Sequence, residues 1–302
     1  MENQKKIPVI LDTDIGDDID DTWALLMMLN SPELDIKLIT STTGNTVERA
    51  RIIAKLLELA GRTDIPIGVG INFDSDHVCN QAEWVKDYSL DDYPGKVYED
   101  GVEAIVKTIL NSNEEITLTC IAPLPNIGEA LRREPKIVEK ARFVGMHGSI
   151  YKGYNGSDQA SAETNVRLHT SDCQEVFKAD WDITITPLDT CGIVRLTGED
   201  YQKVYQSEKD TIKALLENNK LFAQNCSWMD YSNYKEESTV LFDTVAVYLA
   251  YSEELLEMKD LNILVTDDGM TRVDPKGHLV HCALNWNDIE KFKSDLLSRL
   301  LK

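Results

Sequence analysis

Six carboxylates crowd ten residues near the start of the sequence, in the run Asp12-Thr13-Asp14-Ile15-Gly16-Asp17-Asp18-Ile19-Asp20-Asp21. The apolar stretch before them, residues 7–11, predicts a buried strand, and the apolar run after them, residues 22–29, predicts a buried helix. Carboxylates held between two buried elements repel each other strongly unless a cation joins them. Hard divalent ions take several oxygen ligands, and Ca²⁺ tolerates irregular geometry better than Mg²⁺. The run therefore predicts a metal site.

A solvated acidic loop is the other interpretation of this run. An aspartate at a helix N-cap is favoured by the helix dipole, so such a loop accounts for one or two of the acids. It does not account for six, and it leaves Gly16 unexplained. A metal site is therefore the better explanation of the run.

Charge and composition limit the partners of the chain. Its 302 residues contain 31 Lys and Arg against 52 Asp and Glu, a net charge of −21, which repels phosphate backbones and anionic lipids. We expect neither a nucleic-acid nor a membrane partner, and no stretch approaches the roughly 20 apolar residues that cross a bilayer. The N-terminal apolar run is too short for a signal peptide, and the six cysteines form no CxxC pair. We therefore expect a cytoplasmic protein.

Strand and helix patterns alternate along the chain, which favours βαβ units in an α/β fold. We expect a doubly wound, mostly parallel central sheet with helices on both faces, and a ligand crevice at the carboxyl ends of its strands. No linker or repeat divides the chain, so we predict one domain over residues 1–302, with long polar loops at 74–96 and 148–160 and a surface segment at 227–238. Strands are predicted at 7–11, 34–40, 65–69, 116–121, 141–145 and 183–187, and helices at 22–29, 46–59 and 287–301 and beginning near 101, 126 and 171.

The aspartate run resembles the signature DTDxGxDDxxAL of the inosine-uridine-preferring nucleoside hydrolases. This chain has two extra residues, which we place at Asp17 and Asp18 so that Asp20 and Asp21 match the paired aspartates and Ala24-Leu25 stays aligned. Further segments resemble the family in the same order along the chain, over roughly residues 7–275. They are Thr42-Thr43-Gly44-Asn45, residues 57–66 (LELAGRTDIP), residues 122–131 (APLPNIGEAL), Ala162-Glu163-Thr164-Asn165, Pro187-Leu188-Asp189 and Asp243-Thr244-Val245-Ala246.

The resemblance implies a Rossmann-like core and a Ca²⁺ ion that binds the ribose hydroxyls and the attacking water. Carried over to this chain, the carboxylate ligands are Asp14, Asp21 and Asp243, and Pro125 offers a backbone carbonyl where the family usually has Thr. Asp14 also matches the general base, because the metal keeps its carboxylate ionised and acidifies the water.

Four residues match those that hold the ribose: Asp20, Asn45, Glu163 and Asn165. Cleavage of an N-glycosidic bond develops positive charge on the sugar, as in glycoside hydrolysis. Carboxylate and amide oxygens such as that of Asn165 stabilise this oxocarbenium-like state. The alternatives are that Asn45 is a turn residue and that Glu163 and Asn165 are exposed loop residues.

The leaving group is where the chain departs from the family. Many members have a His before the last metal-binding Asp, and here that residue is Phe242. Some purine-preferring members pair an aromatic residue there with a second one from the loop after the third strand, where this chain has Trp84 and Tyr88. We therefore predict a Phe242/Trp84 pair that activates the base by stacking, and a preference for purines. The alternatives are that Phe242 is a core residue and that His77 or Cys79 is the acid.

The expected function is hydrolysis of ribonucleosides to base and ribose, by a protein that is a homodimer or homotetramer, as family members commonly are. A second hypothesis is a weakly active nucleoside- or ribose-binding protein that keeps the Ca²⁺ site, which Phe242 and His169 favour because the family usually has His and Asp there. A third is a phosphotransferase of the haloacid dehalogenase class, with Asp12 as nucleophile, which only the DxD after the first strand favours.

Overall fold

A ten-stranded sheet frames the protein in the computed structural model, which describes residues 5–302. The strands are Ile7–Thr13 (β1), Leu34–Ser41 (β2), Ile67–Val69 (β3), Val97–Tyr98 (β4), Ile116–Cys120 (β5), Ala141–Met146 (β6), Ile183–Thr186 (β7), Leu256–Val265 (β8), Thr271–Val273 (β9) and His278–Trp286 (β10). Their order across the sheet is β4-β3-β2-β1-β5-β6-β7-β10-β8-β9. Pairing is parallel from β4 to β10, and β8 and β9 extend one edge antiparallel.

Helices cover both faces of the sheet. They are Asp20–Leu29 (α1), Thr46–Leu59 (α2), Gly101–Asn111 (α3), Pro125–Arg133 (α4), Thr164–Leu168 (α5), Thr170–Lys178 (α6), Leu188–Cys191 (α7), Gly198–Tyr205 (α8), Asp210–Asn225 (α9), Phe242–Leu249 (α10) and Ile289–Leu300 (α11). Side chains of β1 alternate between the two faces of the sheet: Val9 and Leu11 enter one hydrophobic core, and Ile10 enters the other. Both faces are apolar and therefore need a covering layer of helices. The predicted α/β fold with a mostly parallel sheet is confirmed.

Several boundaries differ from the sequence prediction. The first strand runs on to Thr13 and α1 begins at Asp20, so buried structure includes acids that we had placed outside it. Residues 227–238 are not simply a surface segment, because the Tyr231 ring is buried and packs against Phe222. In the described part of the chain, no helix is long and apolar enough to cross a membrane. The predicted domain, 1–302, includes residues 1–4, which lie outside the described residues.

We expect Trp23→Ala to lower the free energy of unfolding by about 3–5 kcal/mol, because truncating a buried aromatic side chain leaves a cavity. Trp23 lies on α1, is fully buried, and its ring centroid is 6.3 Å from that of Tyr201. Urea unfolding measures the change, and Trp228→Ala is the matched control because Trp228 is 57% exposed. Equal losses in the two variants would contradict the packing described for α1.

Candidate metal centre and ribose pocket

Three carboxylates from distant parts of the chain meet beyond the carboxyl end of β1. Asp20 and Asp21 begin α1, and Asp243 lies in the first turn of α10. One oxygen of each lies within 4.8 Å of the others, and all three side chains are buried. The backbone N–H of Asp243 donates to Oδ2 of Asp20 at 3.2 Å. The first turns of two helices thus bring the three acids together.

Burial raises the pKa of Asp20, Asp21 and Asp243 well above the usual range, and the neighbouring carboxylates raise it further. An all-oxygen set of this kind fits a hard divalent cation, because such a cation offsets both the desolvation and the repulsion. Helix N-termini contribute additional positive potential. The donor chemistry of the cluster therefore suits a hard divalent ion.

Asp14 lies on the turn between β1 and α1 and is half-buried. Burial raises its pKa to about 6, although the guanidinium of Arg49 acts in the opposite direction. The charge of Asp14 in turn raises the pKa of Asp21 and Asp243, so it acts on the cluster electrostatically. Beside it, Thr13 Oγ1 donates to Oδ1 of Asp21 and helps to orient that carboxylate.

Asp12 has a different environment from the other acids. Its Oδ1 accepts hydrogen bonds from Thr40 Oγ1 at 2.5 Å and from Asn126 Nδ2 at 2.8 Å, and its buried Oδ2 has no hydrogen-bond partner. Burial raises the pKa of Asp12 to about 7. Asp12 therefore ties β1 to β2 and α4. Pro125, next to Asn126 and first in α4, is held at this same edge of the sheet.

Glu163 and Asn165 are buried, which removes the exposed-loop alternative. The Glu163 carboxylate accepts three backbone hydrogen bonds, from Gly148 at 3.0 Å, Asn165 at 2.7 Å and Val166 at 3.2 Å. Burial nevertheless raises its pKa to about 7. Asn165 Nδ2 donates to the carbonyl of Met146 at 3.0 Å, so the amide oxygen is the atom that can accept from a sugar hydroxyl.

Asn45 has a structural role that agrees with the turn-residue alternative. Its Oδ1 caps α2 by accepting from the backbone N–H of Glu48 at 3.1 Å. Its Nδ2 donates to the carbonyls of Ser75 at 3.2 Å and His77 at 3.4 Å. The amide of Asn45 thus caps α2, and its contact with the sugar stays a prediction.

The aromatic neighbour of Phe242 differs from the predicted one. The Phe242 ring packs edge-on against Tyr154, with centroids 6.0 Å apart. The hydroxyl of Tyr154 accepts from the backbone N–H of Thr164 at 2.9 Å and also contacts Thr164 Oγ1, which places Tyr154 beside Glu163 and Asn165. The sequence reasoning missed Tyr154 because it lies in a polar loop without periodicity.

Trp84 is held elsewhere, so the predicted Phe242/Trp84 pair needs correction. The indole N–H of Trp84 donates to Glu217 on α9 at 3.0 Å, and Lys55 Nζ lies 4.2 Å from the ring centroid. Lys55 is nine residues beyond the first residue of α2, about 13 Å along the helix axis from the sheet edge. These contacts fix the ring against α2 and α9. Tyr88 also turns outward, donating its hydroxyl to Glu58.

The two alternative acids lie on a second cluster with Asp17. His77 Nε2 lies 2.9 and 3.0 Å from the two carboxylate oxygens of Asp17, and Arg49 Nη2 donates to Oδ2 of Asp17 at 2.7 Å. Cys79 is buried, and burial raises the pKa of its thiol far above the usual range. Its thiol is thus a poor proton donor, and His77 is engaged by a carboxylate. His169 is placed apart from this cluster, against Phe73 and Asp172.

Arg49 is the functional residue that sequence reasoning missed. On α2 the apolar Val47 is 38% exposed, whereas the charged Arg49 is buried. Arg49 stands three and four residues before the buried Ile52 and Ile53, so it shares their face of the helix. A single arginine on an apolar stripe, in a chain with six clustered acids, is the signal that could have identified it.

The sequence of this chain matches a known protein family over most of its length. The sequence profile of the inosine-uridine preferring nucleoside hydrolases matches residues 9–294. The chain belongs to this family. It is 28% identical to probable uridine nucleosidase 2 of Arabidopsis thaliana over 302 residues, covering 96% of this chain and 88% of that protein.

Solved structures show the same fold as this nucleoside hydrolase. A plant nucleoside hydrolase superposes with a TM-score of 0.83 at 22% identity, covering 98% of this chain and 99% of the other. A purine-preferring ribonucleoside hydrolase from Gardnerella vaginalis gives a TM-score of 0.79 at 22% identity, with 97% and 98% covered. Family membership makes the chain an N-ribosyl hydrolase. Family membership also excludes the phosphotransferase hypothesis, and the proposed nucleophile of that hypothesis, Asp12, is fully buried and hydrogen-bonded to its neighbours.

The raised pKa values predict a pH-dependent response of this nucleoside hydrolase to Ca²⁺. Asp14, with a pKa of about 6, and Asp21 and Asp243, with pKa values well above the usual range, hold protons in the metal-free folded state that the unfolded chain has lost above about pH 4. The folded state then binds more protons, so these groups make the metal-free protein less stable as pH rises from about 4 through their raised pKa values. A cation that binds the ionised acids reverses this loss.

We therefore expect Ca²⁺ to raise the melting temperature, relative to chelator, more at about pH 8 than at about pH 5. Differential scanning calorimetry measures both series, and the subtraction cancels surface ion pairs that are the same in each. A Ca²⁺-induced shift that shrinks as pH rises would contradict the assignment of these groups.

Proposed function

We propose that this protein hydrolyses the N-glycosidic bond of ribonucleosides to free base and ribose, with Ca²⁺ as its cofactor and Asp14 as general base. The observation that carries the proposal is the buried cluster of Asp20, Asp21 and Asp243, with Asp14 beside it, in a nucleoside hydrolase fold. The charge of Asp14 raises the pKa of all three carboxylates, which supports Asp14 as the base beside them. His77 and Cys79, the alternative acids for the leaving base, are engaged in the second cluster.

The proposed ligands of the ion are Asp14, Asp21, Asp243 and the carbonyl of Pro125. When bound, the ion would anchor the ribose hydroxyls and lower the pKa of a water. Asp14 accepts the proton of the attacking water, since a cation beside its carboxylate would keep that carboxylate ionised at neutral pH. Asp20, Glu163 and Asn165 orient the sugar, and their oxygens stabilise the positive charge that develops on it.

Asp14→Asn should lower turnover by about 10²- to 10⁴-fold, the usual contribution of a general base. The measurement is release of base from inosine, adenosine, uridine and cytidine, with Ca²⁺ and with chelator. Asp64→Asn is the matched control, because Asp64 is exposed and pairs only with the surface residue Arg62. Activity that survives chelator, or that Asp14→Asn leaves unchanged, would contradict the proposal.

A nucleoside-binding protein is the second candidate, favoured by Phe242, which cannot donate a proton to the leaving base. The same assay separates the two. Calorimetric binding of a nucleoside without multiple turnovers supports the binding protein, and repeated release of base by the wild-type protein excludes it.

For the leaving group, we propose that Phe242 and Tyr154 form an aromatic wall that favours purines. Phe242 directly precedes Asp243, and Tyr154 is fixed through Thr164 beside Glu163 and Asn165, so the two rings border the sugar site. The larger π face of a purine gains more from such contacts than that of a pyrimidine. The names of the relatives point both ways, since one is a uridine nucleosidase and another prefers purines.

Phe242→Ala should therefore reduce kcat/KM more for inosine than for uridine, because it removes half of the wall. The control is Trp84→Ala, which should leave the ratio unchanged since Trp84 packs against Lys55 and Glu217. Steady-state kinetics on the two nucleosides measure the ratio. Equal losses on both substrates in Phe242→Ala would overturn the purine preference.

We also propose a cytoplasmic location and a homodimer or homotetramer. All six cysteines are free, and five of them are buried, which suits a reducing compartment. The oligomeric state rests on the family resemblance alone, and light scattering of the purified protein tests it. The proposed partner of the site is a nucleoside. The net charge of −21 disfavours binding of nucleic acids and anionic membranes.

A further inference from the structure

We propose that Arg49, Asp17 and His77 form a positioning unit that holds the turn carrying Asp14 in its metal-binding conformation. This inference rests on the proposed function, because it assigns the Asp14 turn to a cation. It gives a role to the two-residue insertion at Asp17 and Asp18, which the family signature lacks.

Arg49 fastens the turn to the end of β2. Its Nη1 donates to the carbonyls of Asp14 and Ile15, the latter at 3.0 Å, and its Nε donates to the carbonyl of Thr43 at 2.9 Å. Its Nη2 donates to Asp17 at 2.7 Å. The side chain is 3% exposed, so these hydrogen bonds are made away from water. The planar fork of arginine has five N–H donors against three on a lysine ammonium, so it can serve these four acceptors at once.

Backbone conformation at the end of β2 shows how strongly this point is constrained. Thr43 has a φ of 58°, in the left-handed region that a β-branched residue rarely adopts. Such a residue persists only where the surrounding structure holds it, and here the Nε of Arg49 binds its carbonyl. Arg49 therefore joins the turn that carries Asp14 to the irregular segment at Thr43.

Residues 77–81 close over the insertion from the other side. Besides the His77–Asp17 contact, Asn80 Nδ2 donates to the carbonyl of Asp17 at 3.2 Å, and Gln81 Nε2 donates to that of Asp18 at 3.0 Å. The backbone N–H of Gln81 donates to the carbonyl of Gly16 at 3.0 Å. Both carbonyls of the insertion are thus bound by side chains of this segment.

Two glycines make this close approach possible. A Cβ on Gly44 would lie 3.0 Å from the His77 ring and 3.1 Å from Arg49 Nη2, and one on Gly16 would lie 3.1 Å from Cys79. Both glycines also have positive φ, of 53° and 120°. Side chains at either position would push residues 77–79 away from the turn.

A second metal site is the competing explanation of this cluster, since ligand atoms of Asp17, His77 and Cys79 lie within 4.8 Å of one another. The guanidinium of Arg49 argues against it. A cationic side chain 2.7 Å from the Asp17 carboxylate already neutralises that charge and would repel a divalent ion. Arg49 is thus the cation of this cluster, and the cluster acts on the neighbouring turn.

Calcium affinity of the metal-free protein, measured by titration calorimetry, tests the inference. We expect Asp17→Asn and His77→Gln to weaken Ca²⁺ binding by about 10- to 100-fold, the usual effect of removing a group that orients a ligand. Asp17→Glu should recover part of the loss, because it restores a carboxylate for Arg49. Asp64→Asn, which breaks the exposed Arg62 pair, should bind Ca²⁺ as the wild type does.

Hydrogen exchange of peptides covering residues 12–18 is the second readout, and it needs neither metal nor substrate. Faster exchange there in Asp17→Asn and Arg49→Lys, with the peptides of α11 unchanged, supports a positioning role. Wild-type Ca²⁺ affinity and wild-type exchange in Asp17→Asn and His77→Gln would overturn the inference. A wild-type protein that binds Ca²⁺ but releases no base would instead overturn the proposed hydrolysis, leaving the comparison of affinities intact. A metal-free wild type that binds no Ca²⁺ would overturn both.

Discussion

The mutual repulsion of buried carboxylates is the constraint on which this structure depends. Asp20, Asp21 and Asp243 lie within 4.8 Å of one another inside the protein, with Asp14 acting on them from the adjacent turn. Burial alone raises the pKa of each of them, so the metal-free cluster keeps protons that it would lose in water. A site that is costly in this way persists in a stable fold when a ligand of opposite charge binds it.

The sheet topology brings these acids together. Parallel strands place their carboxyl ends at one edge, and β1 lies between β2 and β5, so the turn after β1 adjoins the ends of both neighbours. Asp12 links β1 to β2 through Thr40, and to α4, the helix that follows β5, through Asn126. From the far side of the sequence, α10 packs against α1 and adds Asp243 to the cluster. The cluster is therefore as rigid as the sheet edge and helices that carry it.

Two kinds of positive charge offset the repulsion between the acids at the carboxyl ends of the strands. Arg49 is built into the fold and neutralises Asp17, while a divalent ion would serve the buried trio. The two inserted acids are used within the protein. Asp17 binds Arg49 and His77, and the carbonyl of Asp18 accepts from Gln81. In the proposed positioning unit, the inserted residues set the geometry of the turn and thereby the position of Asp14.

Patterns within short stretches of sequence predicted much of this protein. Continuous apolar runs indicated β1, β5 and β6, and helical spacing predicted residues 46–59, the observed bounds of α2. The aspartate run and the ordered motifs predicted the family and pointed to Asp14, Asp20, Asp21 and Asp243. Local patterns suffice here because backbone hydrogen bonding and burial repeat every two or 3.6 residues.

Tertiary structure alone supplied the partners. The neighbour of Phe242 is Tyr154 and not Trp84, and the buried face of α2 carries the charged Arg49, whereas Val47 is exposed. Asn45 caps a helix, a role that its motif did not indicate. Each of these depends on how loops cross the sheet edge, and loop paths have no periodicity from which to predict them. Contacts between residues 32 to 88 positions apart, such as Arg49 with Asp17 and Phe242 with Tyr154, are set by packing, and no local pattern of residues encodes them.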